Sequence, residues 1–142
     1  MKIYRTFEDA QKALLLLGDP NARISLDATG EVDNVKLTLA NDSYDTIKQG
    51  GNIINFVGIG KTSSHGHPCS NFSFSNQTPF YRTRDSKKVF PVIIKDFFGL
   101  IYCIGIYEIT EINKLVSDSG FSYYMITVKK VHAFSKKLMN SL

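Results

Sequence analysis

His65, His67 and Cys69, in the run HGHPC, are the residues whose types invite the most chemistry, because imidazole and thiolate at alternate positions can reach one metal ion. A tetrahedral site needs a third or fourth ligand at useful spacing. Beyond these three the chain offers Cys103 and His132, and neither sits in a paired motif. The zinc deaminase signature also fails, since Pro68-Cys69 is followed by Ser70 and Asn71 with no second cysteine. There is no G-x-S-x-G nucleophile elbow, and Gly60-Lys61 lacks the leading glycine of a phosphate loop. The sequence therefore predicts no catalytic residue, no metal and no cofactor, and HGHPC reads as a polar loop.

A second group of residues suggests binding. In SYDTIKQGGNIINFVGIG, residues 43 to 60, Tyr44 and Phe56 flank a turn built from Gln49-Gly50-Gly51-Asn52. Such a pair is either ordinary hairpin packing or two walls of a slot for something flat. Charge points to the partner. Lys and Arg outnumber Asp and Glu by 17 to 13, a formal charge of +4, which favours a polyanion. Residues 27 to 45 are acidic, with Asp27, Glu31, Asp33, Asp42 and Asp45 against Lys36 alone. Residues 82 to 88 are basic, with Arg82, Arg84, Lys87 and Lys88 against Asp85.

The elements that must position these residues follow from pattern. At 142 residues the chain fits one domain with a self-sufficient core, and 43% hydrophobic with 21% charged residues is ordinary for a globular fold. TFEDAQKALLLLG, with Thr6 as cap and Gly18 as stop, predicts a helix. From Ile24 the period changes to two, and VKLTLA places Val35, Leu37 and Leu39 on one face of a strand. NIINFVGIG is a second clear strand, whose Gly58 and Gly60 imply a bulge or a close backbone approach. The polar stretch of nearly thirty residues from Lys61 to Lys88 has little periodicity and reads as a long binding loop. VFPVII and GLIYCIGIYEI, joined by KDFFG, look membrane-like in length, yet Pro91, Lys95, Asp96, Gly99 and Gly105 interrupt them, so they predict two strands. FSYYMITVKKV supplies the last strand, and the basic tail beyond it is expected to form a short helix. Two cysteines are too few for a disulfide framework and no leader opens the chain, so an intracellular, cytoplasmic protein is expected. The fold class is α+β, mainly β, with about six strands in a curved sheet or partly closed barrel and flanking helices. Residues 1–23 form a helical lead-in and 24–142 the binding domain.

The order of elements from Val35 to Val131 is similar to that of SRA (YDG) domains, members of the PUA-like superfamily that read modified cytosine in DNA. KLTLA resembles the strand entering the family's base pocket. SYDTIKQGGNIINFVG resembles its G-Y-x-D-D-x-D-x-G-N-x-F-x-Y-T-G segment, with Tyr44, Gly51, Asn52, Phe56 and Gly58 in register. Asn76 stands about as far before Phe90-Pro91-Val92 as the family's asparagine stands before its G-x-P-V-R-V strand. LIYCIGIYEITEI and FSYYMITVKKV resemble the last two strands. The resemblance implies a base rotated out of a DNA duplex and held between Tyr44 and Phe56, with backbone near Gly51 and Asn52 completing the pocket.

Departures from the family are as informative. The aspartate that accepts from the cytosine amino group falls at Ile47, leaving Asp45, or Asp42, to serve, and the threonine after the second aromatic is Val57. The Asp-Gln element before the asparagine is missing. KTSSHGHP replaces an Asn-Lys-Arg finger, so Lys61, His65, His67, Arg82, Arg84, Lys87 and Lys88 become the candidates for the finger and the DNA backbone. The resemblance implies a partner of double-stranded DNA with 5-methylcytosine or 5-hydroxymethylcytosine, in a bacterial or phage-like, modification-dependent restriction system with a nuclease domain or subunit. An RNA-binding PUA-like module and a small protein-interaction or inhibitor protein are the alternatives.

Overall fold

A computed structural model describes residues 23–38, 52–63, 68–95 and 101–139. The helix expected over 6–18, and with it the 1–23 lead-in, lies outside the described residues apart from Arg23, as does Leu39. Six strands form one mixed sheet. In chain order they are β1 (Arg23–Leu26), β2 (Val32–Thr38), β3 (Ile53–Val57), β4 (Phe90–Lys95), β5 (Ile101–Val116) and β6 (Ser122–Met139). Their order across the sheet is β1-β2-β4-β5-β6-β3, with β1 and β3 at the edges. All pairs are antiparallel except β2 with β4, which run parallel with Val35 opposite Val92. A parallel neighbour needs a long crossover. Here the crossover contains β3, a 3-10 turn (Ser75–Gln77) and one helix, α1 (Thr78–Asp85).

The period-two pattern of β2 places Val35 and Leu37 in the core as expected, and other strands add to it. Val35 and Leu37 of β2, Ile54 and Phe56 of β3, and Phe90 and Val92 of β4 are buried, and α1 adds Phe80. β6 is buried on both faces from Tyr123 to Val128, as befits a strand flanked by β5 and β3 with covering on each side.

Two expectations are corrected. The polar stretch 61–88 is not a structureless loop, because residues 75–85 fold into the 3-10 turn and α1. Pro79 suits the first turn of α1, where its missing N–H costs nothing. Few apolar residues mark the helix, since Phe80 and Thr83 are the ones buried. The tail after Val131 is not a helix either. β6 continues to Met139 by pairing along β5, with Tyr102 opposite Lys137 and Ile101 opposite Met139, so a neighbouring strand overrides weak local preference.

α1 is tied to the sheet by polar groups as well as by Phe80. Thr83 Oγ1 accepts from the Val32 amide at 2.8 Å and donates to the Pro79 carbonyl at 2.7 Å. The helix then ends in a Schellman arrangement: Lys87 sits at φ 57, its amide donates to the Arg84 carbonyl, and the Lys88 amide donates to the Thr83 carbonyl. That reversal delivers Lys88 to Asp27. Asp27 opens the β1–β2 turn, where its Oδ1 accepts from the Thr29 and Glu31 amides, while its Oδ2 pairs with Lys88. Gly30, at φ 80, supplies the left-handed residue of that turn.

Two predictions follow from these ties. Thr83→Val keeps shape but leaves the buried Val32 amide without an acceptor, and should cost about 1–3 kcal/mol in urea unfolding, whereas Thr83→Ser should be nearly silent. Equal stability of the two variants would refute the bridge. The Lys88 ammonium, and then the Thr29 hydroxyl, hold the Asp27 carboxyl well below its usual range. A carboxylate depressed on folding stabilises fully above the unfolded value of about 3.9, and that stability is lost as pH falls through the folded value. Asp27→Asn should therefore flatten the acid limb of a thermal-stability profile below about pH 4; an unchanged limb would show that the pair is not linked to folding.

Candidate nucleic-acid interface

The residues expected to form a base slot divide between described and undescribed positions. Tyr44, Asp45, Gly51, His65 and His67 lie outside the described residues. Asn52 stands immediately before β3, and its carbonyl accepts from the Lys130 amide at 2.7 Å, fixing the entry of β3 against β6. The Lys130 ammonium lies 5.7 Å from the centre of the Tyr107 ring, and burial pushes its pKa down. At the far end of β3, Phe56 and Val57 are core residues. Phe56 is 1% exposed and meets Phe80 edge to face, with ring centres 6.0 Å apart. In this conformation its ring offers no open face.

Directly before Phe56 in sequence, Asn55 is buried on the opposite face of β3. Its Oδ1 accepts from Thr127 Oγ1 at 2.5 Å, and its Nδ2 has no partner among the described residues. The sequence reading passed over Asn55 because polar residues within strands ordinarily mark a solvent face.

The exit from β3 is the most tightly specified part of the site. The Gly58 amide donates to the Tyr124 carbonyl at 2.7 Å, and a side chain at Gly58 would collide with Gln77 Oε1. Gln77 is wholly buried. Its Oε1 accepts from the Ile59 amide at 2.9 Å, and its Nε2 donates to the carbonyls of Ile59 at 2.6 Å and Ser73 at 3.1 Å. Gly60 likewise leaves room for the Phe72 ring, which packs edge to face on Tyr123. The close backbone approach expected at both glycines is thus present. Gln77 itself was missed. A glutamine in a polar stretch looks the same in sequence whether it is exposed or clamps a backbone, and Asn76 beside it is an exposed turn residue whose amide donates to Ser73 Oγ.

From Gly60 the chain leaves the sheet as a narrow excursion. Thr62 and Pro68 form an antiparallel bridge, and the Cys69 amide donates to the Lys61 carbonyl at 3.0 Å, so the two limbs run side by side at their base. Lys61 is exposed there. Of the basic residues expected to meet DNA, Arg82 and Arg84 lie on α1, not in a loop, and Lys87 and Lys88 lie in the turn just after it. Lys88 is committed to Asp27, and Arg84 lies 3.1 Å from the Asp85 carboxylate. Among the described residues the Arg82 guanidinium reaches the Thr29 carbonyl, at 3.4 Å, and Lys87 is exposed. Among the described residues no cluster of three His, Cys, Asp or Glu could hold a metal ion, and no helix is long and apolar enough to cross a membrane.

Comparison of this architecture with solved structures identifies its fold. The SUVH5 SRA domain bound to fully hydroxymethylated CG DNA superposes with a TM-score of 0.53 at 13% identity, covering 97% of this chain and 91% of that one. The chain has the SRA fold. The SUVH5 SRA complex with methylated CHH DNA gives a TM-score of 0.51 at 12% identity, over 92% and 86% of the two chains. SUVH9 gives 0.55 at 18% identity over 89% of this chain. SUVH6 of Arabidopsis thaliana, in complex with SAM, gives 0.53 at 10% identity over 90%. The chain spans about a quarter of the length of these last two, 27% and 25%. No family model matches the sequence, and no curated protein matches it. The mainly β class and the SRA likeness expected from the sequence are thereby borne out, in an open six-stranded sheet carrying one short helix among the described residues.

The Gln77 clamp gives a direct test. Gln77→Leu keeps the volume but strands the amide and carbonyl of Ile59, and should cost about 1–3 kcal/mol for each buried group left unpaired, read by urea unfolding. A loss below about 0.5 kcal/mol would mean that the Gly58–Gly60 exit is not held by this side chain.

Proposed function

We propose that this chain binds duplex DNA containing a modified cytosine, 5-methyl or 5-hydroxymethyl, and inspects the base after rotating it out of the helix. The observation that carries this reading is the near-complete overlap with SRA domains solved on methylated and hydroxymethylated DNA, which involves almost the whole of both chains. Tyr44 and Phe56 are the proposed walls, Asp45 the acceptor for the exocyclic amine, and Gly51, Asn52 and Val57 the remaining lining. Because Phe56 is sealed against Phe80, a base reaches it only when whatever covers the ring is displaced. Base binding and local opening are then one event.

Lys61, Arg82 and Lys87 are the exposed cations suited to phosphate, and His65 and His67, between the limbs paired at Thr62 and Pro68 in the chain, are the proposed finger for the space left by the extruded base. Phosphate contacts release counterions, so affinity should fall steeply with salt. No chemical step is assigned to the chain itself. It serves as the recognition part of a modification-dependent restriction system in which a nuclease domain or subunit cuts.

Binding to matched duplexes carrying unmodified, 5-methyl or 5-hydroxymethyl cytosine at one position, at two salt concentrations, tests the proposal. One modified duplex should bind at least about tenfold tighter, a difference within the reach of one stacked base. Tyr44→Ala should erase that preference in a protein that still melts cooperatively. Phe56→Leu, chosen to keep the core filled, should weaken the preference without unfolding the chain. Equal affinity for all three duplexes, or tighter binding to RNA of the same sequence, would overturn the reading.

A further inference from the structure

We propose that the exposed ring of Phe74 is a stacking platform for an unpaired nucleotide adjoining the duplex site, separate from the slot at Tyr44 and Phe56. The inference rests on the nucleic-acid reading above. Phe74 is 62% exposed, and among the described residues it is the one aromatic side chain counted with the exposed large hydrophobics. Its ring lies 5.1 Å from that of Tyr81 at 37°, and the Arg84 guanidinium carbon lies 4.9 Å from the centre of the Tyr81 ring. These three flat groups touch in turn, Arg84 to Tyr81 to Phe74, a column of contacts whose exposed member is Phe74.

Both ends of that column are held before any ligand arrives. Arg84 donates from Nε and Nη2 to Asp85 Oδ1, each at 3.1 Å. The Phe74 carbonyl accepts from the Gln77 amide at 2.9 Å, which fixes the backbone of the 3-10 turn under the ring. A platform ordered in advance loses little entropy on binding. Phe80, next to Tyr81 in the chain, turns inward onto Phe56, so the column stands on the outer side of the helix that backs β3.

Its surroundings select the occupant. Ser73, Ser75 and Asn76, beside Phe74 in the chain, are exposed and offer hydrogen bonds, while Arg82 lies exposed on α1 and Lys87 just after its end. A flat π face beside cations suits a nucleobase with its phosphates, because every base can stack while the backbone meets the positive charge. An apolar peptide would gain the ring but nothing from the cations.

The test compares a blunt modified duplex with the same duplex carrying a short single-stranded thymidine tail. The tail should tighten binding roughly fivefold or more. Phe74→Leu should abolish that gain while leaving blunt-duplex affinity and modification preference unchanged. The chain contains no tryptophan, so Phe74→Trp introduces a unique fluorophore whose emission should be quenched on titration with oligothymidylate. Absence of a tail effect, or a tail effect of the same size in wild type and Phe74→Leu, overturns the platform while the modified-duplex reading stands. Quenching by oligothymidylate in a protein that ignores every duplex keeps the platform and refutes the duplex reading instead.

Discussion

The side chain of Gln77 is removed from water and makes three hydrogen bonds, all to main chain: the amide and carbonyl of Ile59 and the carbonyl of Ser73. Through those bonds the exit of β3 and the entry of α1 become one rigid corner. Gly58 must be glycine because the Gln77 oxygen occupies the space a side chain would take. From this corner the helix starts one residue later, which sets Phe80 against Phe56 and carries Thr83 to the Val32 amide. The Schellman end of the helix then aims Lys88 at Asp27. A polar group buried without partners costs about as much as these contacts return, so the corner is an all-or-none unit. Placement of β2, β3 and the helix relative to one another depends on it.

The charge that suggested a polyanionic partner is distributed differently from its appearance in sequence. Arg82, Arg84, Lys87 and Lys88 look like one basic run, yet the fold uses them for four purposes. Lys88 neutralises Asp27, Arg84 caps an aromatic column, Arg82 reaches the β1–β2 turn, and Lys87 takes a left-handed conformation at the helix end. Exposed cations remain available for phosphate at Arg82 and Lys87 on the helix side, and at Lys61 beside the excursion from β3. Long-range attraction depends on net charge, which all of these share, but specific phosphate contacts require the unpaired ones.

The strands were legible because alternation is a direct consequence of a pleated, one-sided sheet: Val35 and Leu37 face inward as their spacing demands. The close approaches at Gly58 and Gly60 were legible for the same reason, since glycine at the end of a strand is costly unless space requires it. α1 was not legible. Its stop signal is Lys87, where a glycine would ordinarily mark the left-handed residue, and its start carries no side-chain cap. The extension of β6 to Met139 was hidden because long-range pairing with β5 decides it. Of the candidate site, the identity of Phe56 could be read but its burial could not. An aromatic residue beside a turn looks the same in sequence whether it lines an open slot or fills a core.

That burial bears on how the proposed reader divides its energy. Uncovering a packed phenylalanine ring costs about 1.5–3 kcal/mol, and stacking a base on it returns about 1–3 kcal/mol. The exchange is close to neutral. Extruding the base costs a few kcal/mol more, so stacking alone cannot drive it. The surplus has to come from phosphate contacts, which are blind to the modification and sensitive to salt. On this reading, affinity resides in exposed cations such as Lys61, Arg82 and Lys87, while discrimination resides in the small difference between one base and another inside the slot. A domain organised in this way gains selectivity by keeping its aromatic wall closed at rest, because a base that fits poorly recovers too little of the cost of opening.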